Sequence, residues 1–334
     1  LTNEPEVCRR WVSPPTKLNP DDIDRWGFNV VRLPVEWARL EQVPPVVQKD
    51  GTLKHTWNEN YVKAIDRTIA DLGKKNIAVI LDMHQYLWSS AFRYIDSEDG
   101  WGCEGGGFPA WLYPKPEKTM FQKARCDFFQ GKKESGVPID PKQGFIEAWQ
   151  YLAGKYRDNS TVVGADLINE PWSAKDVCSS ESLSLNNFYK KLGIAIRKVN
   201  PNITLIFEDS QDTGDNRFAL TDPLPFDNTM YSFHLYTGNW KPDGISRLEK
   251  YWERSQKWKV PLFIGEFDAF GRADNLRKLE ADGNWKKEMQ EMFTYFKENK
   301  IHWAFWAYSG LHSLLIPGSA EPKTELLPVL QSGF

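Results

Sequence analysis

Short apolar runs alternate along the chain with stretches in which apolar residues recur at helical spacing. The clearest run, from Val162 to Ile168, ends abruptly at Asn169, Glu170 and Pro171. An apolar run with a polar tip predicts a central strand of a parallel sheet, because such strands are buried on both faces. Its polar residues then lie at the carboxyl end, where parallel α/β folds present side chains to a ligand.

Further runs of this kind predict six more strands. They are Phe28–Leu33, Ile77–Leu81, Ile203–Glu208, Met230–Phe233, Leu262–Gly265 and Trp303–Trp306. Helical periodicity predicts a helix before or between most of these strands. These helices run from Asn19 or Pro20 to about Gly27, over 58–75, and over Gly144–Tyr156, Ser184–Val199, Ile245–Trp258 and Trp285–Asn299.

Alternation of strands and helices over most of 334 residues predicts a parallel α/β sheet, and a (β/α)8 TIM barrel closes such a sheet at this count. We expect a single domain over 1–334, with a long loop insertion at 86–140 after the third strand of the barrel. An eighth strand should precede the first helix, where only Leu1-Thr2-Asn3 resembles one. The first strand is therefore expected to be truncated or atypical.

The amino-acid composition indicates which classes of ligand the protein can bind. The net charge is −3, which gives no basic surface for nucleic acid. No apolar run approaches the roughly 18 residues of a membrane span. Tryptophan is frequent, with 15 residues, and aromatic faces stack on the apolar C–H faces of sugars. The aromatic excess suggests a carbohydrate ligand, although about half of these rings are expected to fill the core.

Four widely spaced cysteines lack the paired spacing of a zinc site. The alternatives are free thiols or one to two disulfides. Cys103 and Cys126 fall in the same long loop, so they are the pair that we expect to bridge if the protein is exported. The chain starts at Leu1 without a signal peptide, as a processed product would, and we expect a secreted or extracellular protein.

Two acids stand at the ends of different predicted strands. Glu170 and Glu266 would converge on one mouth of a barrel, although 96 positions separate them. Hydrolysis of a glycosidic bond needs this arrangement, because one carboxyl must donate a proton to the leaving oxygen while the other attacks the anomeric carbon. Arg32, a charged residue in an apolar strand, needs a carboxylate partner and would hold the nucleophile ionised.

The motifs at these strand ends resemble those of glycoside hydrolase family 5, a (β/α)8 barrel family of clan A retaining β-glycosidases. The resemblance extends over about residues 19–330. The motifs are Val-Val-Arg-Leu-Pro at Arg32, Leu-Asp-Met-His-Gln at His84, Asn169-Glu170-Pro171, His234-Leu235-Tyr236, Ile264-Gly265-Glu266-Phe267 and Trp306.

The resemblance implies a role for each matching residue. Glu170 would be the acid/base on the fourth barrel strand, and Glu266 the nucleophile on the seventh. Asn169 would bind the sugar 2-hydroxyl, Arg32 would support Glu266, and Tyr236 would contact it.

Three aromatic or imidazole side chains would line the subsite of the cleaved sugar, namely His84, His234 and Trp306 as the platform. Alone, each of these is more often a core residue. The family implies no cofactor and no metal, and the five histidines show no ligand spacing such as HExxH.

The insertion departs from the pattern of the plain cellulases. Gly106-Gly107-Phe108-Pro109-Ala110-Trp111 is partly similar to the endoglycoceramidase branch of the family. The main expectation is a retaining, cellulase-like enzyme that cleaves a β-1,4-glucan or β-glucoside. The alternatives are release of a glycan from a glycolipid, and a barrel that binds glycans without catalysis. The partner is expected to be an oligo- or polysaccharide, and the protein a monomer.

Overall fold

The computed structural model describes residues 17–86, 88–92, 106–117, 120–171, 178, 184–210, 219–236, 244–268, 284–310, 313–316 and 318–334. The eighth strand expected near Leu1 therefore lies outside the described residues, as does much of the insertion.

A parallel sheet of seven strands forms the centre of the described structure. In order across the sheet the strands are β1 (Val30–Val35), β4 (Ala78–Met83), β5 (Val162–Asp166), β6 (Thr204–Glu208), β7 (Thr229–Tyr236), β8 (Leu262–Asp268) and β9 (His302–Trp303). Every neighbouring pair is parallel. Two short strands, β2 (Val46–Val47) and β3 (Leu53–Lys54), form a separate antiparallel hairpin.

The two ends of the sheet curve towards each other. Phe28, just before β1, packs edge to face on Trp303 of β9 with ring centroids 6.2 Å apart. Phe334 stacks on Trp303 and meets the edge of Phe28 at 5.2 Å. This curvature and the helices between the strands confirm the predicted (β/α)8 barrel fold.

Helices surround the sheet, and four of them begin at a side-chain cap. They are α1 (Pro20–Arg25), α2 (Trp37–Leu40), α3 (Glu59–Gly73), α4 (Met120–Gln130), α5 (Pro141–Lys155), α6 (Leu185–Val199), α7 (Gly244–Trp258), α8 (Asn284–Glu298) and α9 (Leu326–Gln331). The side chains of Asn19, Asn58, Asp140 and Ser184 accept backbone N–H bonds at the starts of α1, α3, α5 and α6. Among the described helices, none is long and apolar enough to cross a membrane.

Several strands continue further than their apolar runs. β1 begins at Val30 rather than Phe28 but continues to Val35, and β7 and β8 continue to Tyr236 and Asp268. His234, Tyr236 and Glu266 are polar yet take part in the backbone ladder, so the end of each apolar run came before the end of its strand. Conversely, β9 ends at Trp303, which leaves Trp306 in the loop beyond it.

Apolar residues fill two regions. A large core lies between the sheet and the helices, and a small cluster of Ile80, Ile206 and Phe263 lies inside the barrel. The insertion adds to the larger core, because Trp88 and Phe108 stack at 4.0 Å and both are buried. These two rings are therefore core residues.

A disulfide joins Cys126 on α4 to Cys178, with Cα atoms 5.1 Å apart. The expected Cys103–Cys126 bridge is therefore wrong. Sequence reasoning paired two cysteines of one loop, whereas α4, a helix that was not predicted, directs Cys126 to the segment that follows β5. Cys8 and Cys103 lie outside the described residues.

Candidate active site

Arg32 of β1 is the centre of a polar layer at the carboxyl end of the barrel. Its guanidinium donates from Nε to Asp166 Oδ2 over 2.7 Å and from Nη1 to Glu266 Oε1 over 2.7 Å. Nη2 donates to Asn169 Oδ1 over 2.8 Å, and Nη1 also lies 3.1 Å from Asp82 Oδ2. The carboxylate partner that the sequence demanded for Arg32 is thus a set of three acids on different strands.

Glu266 is held by one donor at each of its oxygens. Arg32 occupies Oε1, and the Tyr236 hydroxyl donates to Oε2 over 2.5 Å. The carboxyl is 4% exposed. Two fixed donors, one of them a cation, stabilise a carboxylate anion and fix the orientation of its two oxygens.

Glu170 lies in a different environment. Its Oε1 is 2.9 Å from Nδ1 of His234, and its backbone N–H donates to Oε2 of Glu208 over 2.8 Å. Burial raises the pKa of Glu170 to about 7, because removal from water disfavours the charged form. This carboxyl can therefore carry a proton near neutral pH.

The two acids face each other at short range. One oxygen of Glu170 and one oxygen of Glu266 lie within 4.8 Å of one another, and a ring nitrogen of His234 is in the same group. Retaining glycosidases hold their two carboxyl groups about 5–5.5 Å apart, whereas inverting ones leave about 6.5–9.5 Å. The observed proximity is of the retaining kind.

His234 is buried between these acids. Its Nδ1 lies 2.9 Å from Glu170 and 3.6 Å from Glu266 Oε2, and the β7–β8 register pairs it with Glu266. Burial lowers the pKa of His234 to about 3, so the ring is neutral at the pH where the two acids would work.

His84 and Trp306 form a stacked pair at the mouth of the barrel. Their ring centroids are 5.2 Å apart and their planes differ by 2°. His84 Nδ1 lies 2.7 Å from Asp82 Oδ2. Burial opposes the charged ring, but the carboxylate of Asp82 outweighs it and raises the pKa of His84 above its usual value.

Asn169 is 1% exposed and is already part of the network. Its Oδ1 accepts from Arg32, and its Nδ2 donates to the backbone oxygen of Gln85 over 2.9 Å. Within the described ranges this is the one acceptor of the Nδ2 group, whose second hydrogen is then left for a sugar hydroxyl. The structure thus brings all eight residues singled out from the sequence to one end of the barrel.

Four further residues belong to this site, namely Asp82, Gln85, Asp166 and Glu208. Sequence reasoning gave them no role. A signal was present for the acids, because Asp82, Asp166 and Glu208 end or interrupt apolar strands, where an acid must have a buried partner. Gln85 gave no such signal, since its bonds to the backbone oxygens of Asn169 and Glu170 depend on the fold alone.

Two groups among the described residues have ligand atoms close enough for a cation. They are Asp82, His84 and Glu266, and Glu170, His234 and Glu266. The Nη1 atom of Arg32 already lies against Asp82 and Glu266, so the first group surrounds a positive charge of the protein itself.

Comparisons with known proteins agree with this site. A family model described as Cellulase (glycosyl hydrolase family 5) matches residues 2–311. An endoglucanase of Paenibacillus polymyxa is 22% identical over 324 residues, which cover 86% of this chain and 68% of that protein. An endoglycoceramidase of Cyanea nozakii is 23% identical over 315 residues, which cover 84% of this chain and 58% of that protein.

A solved structure is also similar. Endo-glycoceramidase II from Rhodococcus sp., in a complex with a cellobiose-like isofagomine, matches with a TM-score of 0.71 and 20% identity over 94% of this chain and 74% of that chain. At this identity the match shows the shared barrel fold.

Proposed function

Because the chain belongs to the cellulase family, glycosyl hydrolase family 5, we propose that it hydrolyses a β-1,4-glucan or β-glucoside and retains the configuration of the anomeric carbon. The observation that carries this proposal is the pairing of two unlike acids. Glu266 is fixed by Arg32 and Tyr236, while Glu170, within 4.8 Å of it, has a pKa raised to about 7.

In the first step Glu266 attacks the anomeric carbon and the bond to the leaving oxygen breaks. Glu170 gives its proton to that oxygen, so the alcohol leaves neutral and a glycosyl ester forms on Glu266. Loss of the negative charge on Glu266 then lowers the pKa of Glu170, which favours its change from acid to base.

In the second step Glu170 takes a proton from water, and the oxygen of that water attacks the anomeric carbon. The ester bond to Glu266 breaks, and both acids return to their first state. The neutral ring of His234 can donate from Nδ1 to the ionised Glu170 between the steps, since the two atoms are 2.9 Å apart.

The remaining groups are suited to bind the sugar that is cleaved. Trp306 offers a half-buried aromatic face, stacked on His84, on which the C–H face of a pyranose can lie. We expect the second hydrogen on Asn169 Nδ2 to bind the 2-hydroxyl of this sugar. Such a bond contributes most in the transition state, where charge develops at the anomeric carbon.

The test is the stereochemistry of the product. Proton NMR of a β-glucoside digest should show the β-anomer first, before mutarotation. Glu266→Gln should reduce kcat by at least about 10⁴-fold, because the nucleophile is lost. Glu325→Gln, which changes a surface acid that pairs with Lys286, is the matched control and should leave the rate unchanged. Initial appearance of the α-anomer, or a Glu266→Gln variant at the wild-type rate, would refute the proposal.

A glycolipid is the second candidate substrate, and one observation favours it. Val43, Val46 and Val47 are 50–58% exposed in the segment between the carboxyl end of β1 and α3, on the same face as the site. The relative from Cyanea nozakii carries the name endoglycoceramidase, although the chain spans 58% of its length.

A substrate panel separates the two candidates. Glucosides, cellobiosides, soluble β-glucans, mannans and a glycosphingolipid should be compared at equal enzyme concentration. If the glycolipid is a substrate, the double change Val46→Ser and Val47→Ser should lower its turnover and leave an aryl glucoside unaffected. Binding of sugars without cleavage of any substrate over days would instead favour a glycan-binding barrel.

We further propose that the protein acts outside the cell as a monomer. The Cys126–Cys178 disulfide supports export, because such bridges persist in oxidising compartments. Retention of this bridge in protein secreted by an expression host tests the first statement. The molecular mass from light scattering tests the second.

A further inference from the structure

The backbone of Glu170 has an unusual conformation that two neighbouring side chains hold. Its φ of +43° lies in the left-handed region, which residues with a Cβ rarely adopt. Glu208 Oε2 accepts the N–H of Glu170, and Gln85 Nε2 donates to the carbonyl oxygens of Asn169 and Glu170 over 2.8 and 2.9 Å. Hydrogen bonds thus hold the backbone of Glu170 at its N–H and at its carbonyl oxygen, and this fixes where the side chain begins.

Glu208 also reaches the side chain of Glu170 through His234. Its Oε2 lies 3.5 Å from Nε2 of His234, and Nδ1 of the same ring lies 2.9 Å from Glu170 Oε1. A single carboxyl at the end of β6 therefore contacts both the backbone of Glu170 and the imidazole that orients its carboxyl.

The surroundings of Glu208 disfavour a negative charge. The residue is fully buried, and within the described part of the chain the neutral His234 ring is its sole partner at ion-pair distance. Burial, followed by the nearby acids Asp166 and Glu170, raises the pKa of Glu208 well above its usual value, and Arg32 offsets this only in part.

We propose that Glu208 is a positioning residue that works as an uncharged carboxylic acid and holds the general acid Glu170 in its productive orientation. This inference rests on the function proposed above for Glu170. An uncharged group can accept the N–H of Glu170 without repelling the carboxylate that forms when the proton is transferred. A charged Glu208 would instead oppose that transfer.

Two variants distinguish the effect of Glu208 on the orientation of Glu170 from an effect of charge on Glu208. Glu208→Gln keeps an oxygen acceptor and adds no charge, whereas Glu208→Leu has a similar shape without an acceptor. The substrates are aryl β-glucosides with leaving groups from dinitrophenol, which needs no protonation, to phenols of high pKa, which do.

Glu208→Leu should lower kcat/KM for the poorest leaving group by about 100-fold, as a displaced acid would. Dinitrophenyl glucoside should lose less than about fivefold in the same variant. Glu208→Gln should stay within about fivefold of the wild type on both substrates. Its pH profile should also keep the alkaline limb of kcat/KM at the wild-type position.

A charged Glu208 predicts another result. Its removal in Glu208→Gln would lower the pKa of Glu170 and move the alkaline limb to lower pH, which would overturn the proposal. Equal losses on all leaving groups in Glu208→Leu would also overturn it, because they would indicate a general structural role.

Two controls complete the design. Asp209→Asn changes the next buried acid along the chain, which accepts from the Tyr231 hydroxyl over 2.6 Å, and it should not alter the dependence on the leaving group. Glu170→Ala must show the steep dependence that loss of the acid causes. Failure of Glu170→Ala would refute the role of Glu170 itself, whereas failure of Glu208→Leu alone would refute only this inference.

Discussion

Arg32 donates from Nη1 to Oε1 of Glu266 over 2.7 Å, although 234 positions separate the two residues along the chain. The bond joins the first described strand of the sheet to β8. It also fixes the oxygen opposite the one that Tyr236 contacts.

We expect Arg32→Lys to impair both catalysis and stability. A lysine keeps the charge, but its three donors share one nitrogen, whereas Arg32 donates to Asp166, Asn169 and Glu266 from three separate nitrogens. Activity should fall by about 10²–10³-fold, on the scale of a lost oriented donor. Unfolding by urea should show a loss of about 3 kcal/mol or more, because buried acids lose their partner. Wild-type values of both quantities would contradict this role of Arg32.

The pH dependence of the rate should report Glu170. Burial raises the pKa of this group to about 7, so it keeps its proton from low pH up to about 7 and loses it above. The rate of cleavage of an unactivated glucoside should therefore fall as pH rises through about 7. Glu170→Ala should abolish this limb, and azide should restore turnover of dinitrophenyl glucoside and yield a glycosyl azide. A limb that persists in this variant would assign the titration to another group.

Stability should depend on pH through His55. The ring lies 2.6 Å from Glu41 and 2.6 Å from Glu147. These two contacts join the segment after β1 to α5. Burial opposes the charge, but these two acids raise the pKa of His55 to about 9. The charged His55 ring therefore stabilises the folded state. Its contribution is complete below about pH 6.5, the pKa of histidine in the unfolded chain, and is lost as the pH rises through about 9.

His55→Gln should thus lower the Tm at pH 6, and the difference from the wild type should shrink above about pH 9. Scanning calorimetry at several pH values measures this trend. His302→Gln, at an exposed histidine on β9, is the control for removal of an imidazole. A Tm deficit of His55→Gln that stays the same at every pH would show that the charge of His55 does not stabilise the fold.

Reduction should destabilise the protein through the Cys126–Cys178 bridge. The bridge closes a loop with a sequence separation of 52, which corresponds to about 2–4 kcal/mol of stabilisation. The double change Cys126→Ser and Cys178→Ser should lower the free energy of unfolding by that amount. Added dithiothreitol should then have a smaller effect on the double variant than on the wild type, and an equal effect would contradict the assignment.

The strand ends were predictable because each apolar run stops where side chains leave the packed interior. Glu170 and Glu266 could therefore be placed together from the sequence. Their partners were harder to find. Glu208 contacts Glu170 through a backbone N–H and through His234, and neither contact leaves a pattern along the chain.

The disulfide could not be predicted for a related reason. Cys126 lies on α4, within an insertion whose apolar residues give a weak helical signal, and its partner Cys178 follows another strand. The pairing depends on how α4 packs, which is a property of the assembled fold. Strand lengths failed similarly, because Tyr236 is polar yet continues β7 inside the barrel.

Arg32 also limits how this scaffold can be redesigned. Its guanidinium joins Asp82, Asp166 and Glu266, which come from three strands, so reactivity and architecture share one side chain. Loops around the mouth can be exchanged one at a time to reach new substrates. Changes to this quartet would have to be made together, because loss of Arg32 leaves three buried acids without their cation and loss of an acid alters the hydrogen bonds that orient Arg32.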